Sequence, residues 1–270
     1  MESRLALIGF GEAGSTFARA ASWGKTTTAF DINDSRQQIM RESGVTPCDS
    51  AESALYNADM VLSLVTADSA PLVAKDYAGF LKKNALWCDM NSIAPQTKQS
   101  NAQRVNAAGG RYIDVAVMAP VDPTALDVPL LIAGPNAAEA EQNLNALGFK
   151  KTRIVGEQIG RASAIKMIRS VMVKGLEALS WECAAAADQA DVFEEVMTSL
   201  DASEKDWPWA KRVVYNRERM TTHGARRAAE MEESAKTLEG FGIEPVMTRG
   251  TVIRQRRAVG QNGNERNDTR

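Results

Sequence analysis

The sequence predicts an α/β chain: a doubly wound parallel sheet followed by an all-α domain. Three observations carry that prediction. An apolar run at residues 5–8 is followed by glycines at the spacing G-x-G-x-x-G (Gly9, Gly11 and Gly14) and then by a helix-like stretch over 15–22. Short apolar runs then alternate with helical stretches of about three turns, the pattern of a parallel sheet covered on both faces. From Gly160 onward the strand signals stop, and apolar residues recur at intervals of three and four, which marks one face of a long helix.

Each element follows in order. Residues 5–8 read as a buried strand. Gly9 allows the tight turn after it, Gly11 lets backbone approach a pyrophosphate, and Gly14 lets helix pack close to strand. Phe10, Glu12 and Ala13 complete the loop. Phosphates are favoured there by the free N–H groups and the positive dipole end of the helix. This is a dinucleotide-binding fingerprint in its required strand–turn–helix context, so the sheet is expected to be of Rossmann type. Residues 26–30 form the second strand, and Asp31 stands at its end. An acid roughly 20 residues past the glycines hydrogen-bonds a ribose 2′-hydroxyl and repels a 2′-phosphate. Asp31 therefore points to NAD as cofactor, while Arg36 nearby keeps NADP open, because an arginine accommodates that phosphate.

A helix over 35–43 is stopped by Gly44, and Asp49 or Ser50 caps a short helix over 51–56. Further strands are expected at 59–65, 85–89, 111–117, 129–133 and 152–155, with helices at 71–81, 97–108 and 136–147. Ligands of such sheets lie at the carboxyl ends of the strands. The glycine loop and the loops at 66–69, 91–95 and 118–120 should therefore line one crevice, with Val65, Thr66 and Asn91 on the cofactor side. The long helix then carries Ile165, Ile168, Met172, Leu176, Leu179, Cys183 and Ala186 on one face and runs about 45 Å at ~1.5 Å per residue. Helices over 192–200, 209–220 and 224–241 follow. Pro208 suits a helix start; Gly240 and Gly242 suit a helix end, with Pro245 beyond. The expected division is a dinucleotide-binding domain over 1–155, a helical substrate and dimerisation domain over 156–260, and a disordered tail over 261–270, which has no apolar residue.

Composition narrows the function. The 270 residues are enough for two ordinary domains. A formal charge of −2 argues for neither a nucleic-acid nor a membrane-surface partner. Three cysteines lie far apart, as reduced thiols without a zinc site do, and a single histidine excludes a multi-histidine metal centre. No apolar run reaches the ~18 residues a membrane helix needs. With the glycine loop beginning at Gly9, a cleaved leader is not expected. A cytoplasmic protein with a small-molecule substrate is expected. Trp207 and Trp209 read as packing anchors, and Arg254, Arg256 and Arg257 as a solvated end.

The chemistry centres on Lys166, set among apolar neighbours of the long helix with Ser170 one turn later on the same face. Two roles fit it. A lysine partly desolvated at the crevice serves as general acid or base; a lysine whose stem covers the core snorkels to solvent. His223, Arg226 and Glu230 fall at i, i+3 and i+7, on one helix face. That face is either a solvated set of ion pairs or a specificity patch, with His223 at a helix start positioned to bind a substrate oxygen or assist proton transfer.

Gly9-Phe-Gly-Glu-Ala-Gly14, Asp89-Met-Asn-Ser-Ile-Ala-Pro95, Asp114-Val-Ala-Val117 and Gly160-Arg-Ala-Ser-Ala-Ile-Lys166 occur in this order. Together they resemble the β-hydroxyacid dehydrogenases, the group that includes 3-hydroxyisobutyrate and 6-phosphogluconate dehydrogenases. The resemblance covers most of residues 4–175. It implies an NAD(P)-dependent oxidoreductase in which Lys166 exchanges the proton of a substrate hydroxyl, and in which Asn91 and Ser92 approach nicotinamide and substrate. Met118, Ala119 and Pro120 stand in place of the family's Ser-Gly-Gly, which holds the substrate carboxylate. The hydroxyl donor is missing there, and Pro120 has no N–H. Ser170 stands where the family usually has Asn and is a catalytic candidate with Lys166 and His223; Arg169 beside it either takes part of the carboxylate-binding role or, at i+3 from Lys166, faces solvent. Residues 222–232 resemble an uncharacterised helical domain found in one branch of the superfamily. An imine reductase of the same architecture and a non-catalytic nucleotide-binding protein are the rival readings. Imine reductases usually place an acid or tyrosine where Lys166 stands. Family likeness and the long apolar helix face together imply a homodimer.

Overall fold

Alternation along the strands sorts the core of the first half into two layers, because successive strand residues point to opposite faces. Leu5 and Leu7 are buried on one face with Phe10, Phe17, Leu62 and Ile113. Ala6 and Ile8 are buried on the other with Val61, Trp87 and Tyr112. A computed structural model describes residues 4–259; the tail expected to be disordered, 261–270, lies outside them.

Eight strands form one sheet: β1 (Leu5–Ile8), β2 (Thr28–Phe30), β3 (Thr46–Pro47), β4 (Met60–Ser63), β5 (Leu86–Asp89), β6 (Arg111–Val117), β7 (Leu130–Ala133) and β8 (Thr152–Gly156). Their order is β3-β2-β1-β4-β5-β6-β7-β8. The helices α1 (Glu12–Ala21), α2 (Arg36–Glu42), α3 (Ala51–Leu55), α4 (Ala70–Tyr77), α5 (Pro95–Ala107) and α6 (Ala137–Ala146) connect them. Ser50 caps α3 through a reciprocal pair with Ser53. This is the expected doubly wound α/β architecture with two departures. β7 runs antiparallel to β6, Val115 facing Ile132. The connection between them contains only a 3-10 turn, Ala125–Asp127, and so lacks the helix by which a parallel crossover usually returns. β3 was absent from the expectation. Two residues have no readable period, and Pro47 is tolerated because β3 is an edge strand.

Helices fill the rest: α7 (Arg161–Gln189), α8 (Phe193–Ser203), α9 (Trp209–Gly240) and α10 (Val246–Ala258). The chain divides into two compact units between Ser170 and Val171. The first turns of α7, Lys166 among them, therefore belong with the sheet.

Two expectations for the second unit are corrected. The helices predicted over 209–220 and 224–241 are one continuous helix, α9, so His223 lies mid-helix and not at a start. Gly224, expected as the first residue of the second of those helices, is a close-packing glycine: a Cβ there would stand 2.3 Å from the carbonyl oxygen of Gln255 on α10. The arginines at 254, 256 and 257 belong to α10 itself, and Arg256 pairs with Glu232 of α9. Glu182 of α7 is buried and caps α10, accepting from the N–H groups of Met247 and Thr248 (both 2.8 Å) and from Thr248 Oγ1 (2.6 Å). Trp207 packs edge-on against Tyr215, with Lys205 and Lys211 over its ring, whereas Trp209 is half exposed beside Arg212. Among the described residues no helix is long and apolar enough to cross a membrane.

Candidate active site

The glycine loop is built by close approach at two positions and by open space at the third. Gly9 has φ +91°, and a Cβ there would lie 2.5 Å from the Leu64 carbonyl oxygen. A Cβ on Gly14 would lie 2.7 Å from the carbonyl oxygen of Gly9, so α1 packs against its own loop. A Cβ on Gly11, the residue capping α1, meets no atom of the other described residues within 4 Å. That opening faces the first turn of α1, whose N–H groups have no intrahelical acceptors. A phosphate fits there by charge and by room.

Asp31 is fixed from both sides. Its Oδ2 accepts the N–H of Phe10 at 2.7 Å, and its Oδ1 accepts the N–H of Asn33 at 2.9 Å. Phe10 contributes that N–H while its ring lies in the core. Gly9, Gly11, Glu12, Asp31, Val65 and Thr66 line one crevice of about 330 Å³, and Ile32, Val73 and Tyr77 give it an apolar wall. Ala13 is turned toward the core. The Tyr77 hydroxyl is pushed above its ordinary range by burial, with Asp76 and Asp31 adding to the effect. Thr66 donates to Ser69 Oγ at 2.9 Å.

The loop after β5 supplies the next groups. The Asn91 N–H is held by Asp89 Oδ1 at 3.0 Å, and its side-chain amide donates to Ser63 Oγ at 3.0 Å. Its Oδ1 is buried without a hydrogen-bond partner among the described residues, an acceptor available to a bound group. Lys166 reaches from α7 to Ser92, Nζ to Oγ 2.6 Å. The contact joins residues 74 positions apart, and both stand at the carboxyl end of the sheet. Ser170 is half-buried and Arg169 exposed on the next turn of α7.

The 118–120 loop offers little to an anion. The Met118 N–H is spent on the carbonyl oxygen of Pro129 at 2.9 Å, Pro120 has none, and the Pro120 carbonyl oxygen accepts from Thr124 Oγ1. Met118 and Ala119 pack against apolar clusters. His223 and Arg226 belong to the second unit. Both are exposed on α9, and Arg226 pairs with Glu230 one turn on.

Sequence reasoning missed several polar groups of the first unit: Ser63, Lys98, Asn101, Tyr112 and Ser163, all buried. One signal was present, since Lys98, Asn101, Ala102 and Val105 share the inner face of α5. Burial and the neighbouring Asp89 push the Tyr112 hydroxyl well above its ordinary range.

Residues 4–148 match the family described as the NAD binding domain of 6-phosphogluconate dehydrogenase. The chain belongs to this family. Its first unit is thus an NAD(P)-binding domain of the 3-hydroxyacid dehydrogenase-like group, and residues 187–258 match a domain of unknown function, DUF1932. Several solved structures are similar, three of which follow. A conserved hypothetical protein from Sinorhizobium meliloti 1021 is 37% identical, with 95% of this chain and 88% of that one covered and a TM-score of 0.64. A conserved protein of unknown function, described as structurally similar to 3-hydroxyacid dehydrogenases, is 28% identical over 94% and 96% of the two chains, with a TM-score of 0.63. An imine reductase variant from Myxococcus stipitatus, solved with NAD+, has a TM-score of 0.76 at 21% identity, covering 96% and 94%. At that identity the likeness shows the fold that the NAD-binding domain and its helical partner share with imine reductases.

Proposed function

We propose that this NAD-binding protein is an oxidoreductase interconverting a small β-hydroxy acid, or a related alcohol, with its carbonyl product, and that Lys166 is its general acid and base. The observation that carries this reading is the Lys166 Nζ–Ser92 Oγ hydrogen bond of 2.6 Å at the carboxyl end of the sheet. It argues against a lysine that merely snorkels to solvent. When bound, NAD(P) supplies the hydride chemistry. The N–H groups at the start of α1 would hold its pyrophosphate and Asp31 its adenosine ribose, with Asn91 as the residue that would serve the nicotinamide. Val65, Thr66, Phe10, Glu12 and Ala13 complete that cradle. In the oxidising direction the neutral amine of Lys166 takes the hydroxyl proton as the carbonyl forms. In the reducing direction its ammonium returns that proton to the oxygen. Ser92 accepts a hydrogen bond from the ammonium and holds the side chain in line. Met118, Ala119, Pro120, Arg169 and Ser170 border the substrate. Lys166→Ala is expected to abolish turnover across a panel of hydroxy acids while NADH binding, read by fluorescence, persists. A near-normal kcat in that variant rejects the mechanism.

The donor-poor 118–120 loop supports a second reading. With the Met118 N–H already spent and none on Pro120, a neutral carbonyl or imine suits this loop better than a carboxylate. Reduction of a cyclic imine by NADPH, with no alcohol oxidised, selects it. NADH binding without turnover of any member of either panel selects a nucleotide-binding protein without catalysis.

We further propose a homodimer formed through α7. Ile168, Val171 and Trp181 are 72%, 76% and 72% exposed in the single chain, with Leu176 and Leu179 also open. So much apolar surface along one helix favours a covering partner. The helical unit that begins at Val171 is then the dimerisation unit. A cytoplasmic location fits this reading.

A further inference from the structure

One fully buried lysine has no part in the proposed reaction. Lys98 lies among two carboxylates that are register partners on neighbouring strands, Asp89 on β5 and Asp114 on β6. Its Nζ stands 3.0 Å from Asp89 Oδ1 and 3.5 Å from Asp114 Oδ1, and it also donates to the Asp89 carbonyl oxygen. Adjacent strands are about 4.8 Å apart, so without a cation between them two carboxylates in this dry place repel. One lysine does not neutralise two carboxylates. The remaining charge is met by donors: Tyr112 Oη at 2.6 Å on Asp89, and the N–H groups of Gly160 (3.0 Å) and Ser163 (3.1 Å) on Asp114. The last two form the positive end of α7.

Each carboxylate thereby holds one half of the Lys166–Ser92 pair. Asp89 fixes the Asn91 N–H, next to Ser92. Asp114 fixes the first turn of α7, and Lys166 follows Ser163 by three residues on that helix. Ser163 Oγ donates to the carbonyl oxygen of Ile93, tying the two segments together. We propose that Lys98 is a positioning residue: its single cation joins the two strand-end carboxylates and so sets the register of Lys166 against Ser92. The inference draws its meaning from the proposed role of Lys166, but it makes a claim that needs no substrate.

Loss of stability on removing Lys98 discriminates nothing, because a merely structural ion pair costs stability too. The test is the titration of Lys166, followed by nuclear magnetic resonance of isotopically labelled lysine side chains in the full chain. Ser92→Ala deprives the ammonium of an acceptor and is expected to lower the Lys166 midpoint by about half a pH unit, roughly threefold in proton affinity. In a Lys98→Met background Ser92→Ala is expected to move it no further, since the contact is already lost. Leu144→Ala, which destabilises the same unit away from this cluster, is expected to leave the Ser92→Ala shift intact. Where Lys98→Met does not fold, Lys98→Gln removes the charge and keeps a donor. Hydrogen exchange gives a second readout: residues 91–93 and 160–163 lose protection together while β1 keeps its own. The proposal is overturned by no Ser92→Ala shift in the parent, by equal shifts in both backgrounds, or by loss of the shift in Leu144→Ala. A coupled pair in a protein that oxidises no alcohol rejects the reaction and leaves the positioning; an uncoupled pair in an active enzyme does the reverse.

Discussion

Substituting alanine at each glycine of the loop separates packing from binding, because the added methyl meets different things. At Gly14 it meets backbone, the Gly9 carbonyl oxygen at 2.7 Å. Alanine gains about 1 kcal/mol of helix propensity over glycine, but overpacking against a fixed group costs about 1–3 kcal/mol. A net loss of about 1 kcal/mol follows, a few degrees in Tm. At Gly9 the clash is tighter, 2.5 Å to Leu64 O, and φ is +91°; the strained backbone adds roughly 1–3 kcal/mol, so this variant is expected to fold poorly. At Gly11 the methyl meets nothing within 4 Å among the described residues. Stability should stay within about 0.5 kcal/mol of the parent, a small loss of capping being offset by a stiffer unfolded chain. The methyl does occupy the space into which a pyrophosphate would come. Losing one charge-assisted hydrogen bond costs about 2–3 kcal/mol, or roughly thirty- to 150-fold in Kd. Thermal unfolding and NADH fluorescence titration read the two effects separately. If Gly11→Ala binds NADH as tightly as the parent, or unfolds as Gly9→Ala does, the assignment of the loop is wrong.

Three further outcomes follow from particular contacts. Burial raises the Glu182 carboxyl, but the hydrogen bonds from Thr248, Met247 and Val246 outweigh burial and hold it below its ordinary value. Its contribution to stability is therefore full above the unfolded value near 4.3 and is lost as pH falls through the lower folded one. Glu182→Gln should cost about 2 kcal/mol at neutral pH and show a flatter decline below about pH 4.5; parallel acid curves for the two proteins would contradict this. Asp31→Ser is expected to shift the ratio of NADPH to NADH affinity at least tenfold toward NADPH, about 1.4 kcal/mol, and an unchanged ratio removes Asp31 from cofactor choice. Light scattering should give twice the chain mass, falling to a monomer in Val171→Glu, whereas a monomeric parent excludes the proposed interface.

Much of the fold was legible because period and punctuation agree in the first half of the chain. Strands buried on both faces read as apolar runs, and the loop with Asp31 supplies fixed spacing. What escaped was whatever depends on a partner distant in sequence. Lys98 shares an inner face with Asn101 and Val105, yet a lysine reads as solvated until Asp89 and Asp114 are seen to flank it. α10 buries Thr248, Val252 and Gln255, only one of them strongly apolar, so hydropathy passes over it in favour of its arginines. The antiparallel β7 was missed because an apolar run carries no direction; only the helix-poor connection before it does.

The glycines make the physical limit plain. A glycine in a sequence says that something comes close or that the backbone turns, but not what comes. At Gly224 the visitor is the Gln255 carbonyl oxygen of α10, and the residue expected to open a helix is a seam between two helices. At Gly14 it is the loop's own backbone. At Gly11 no atom of the described residues takes the space, although the strand before it and the helix after it are those of Gly14. A glycine whose room the protein leaves open, at the start of a helix and beside a fixed carboxylate, is best explained by a ligand, and its spacing alone could not separate it from the other two.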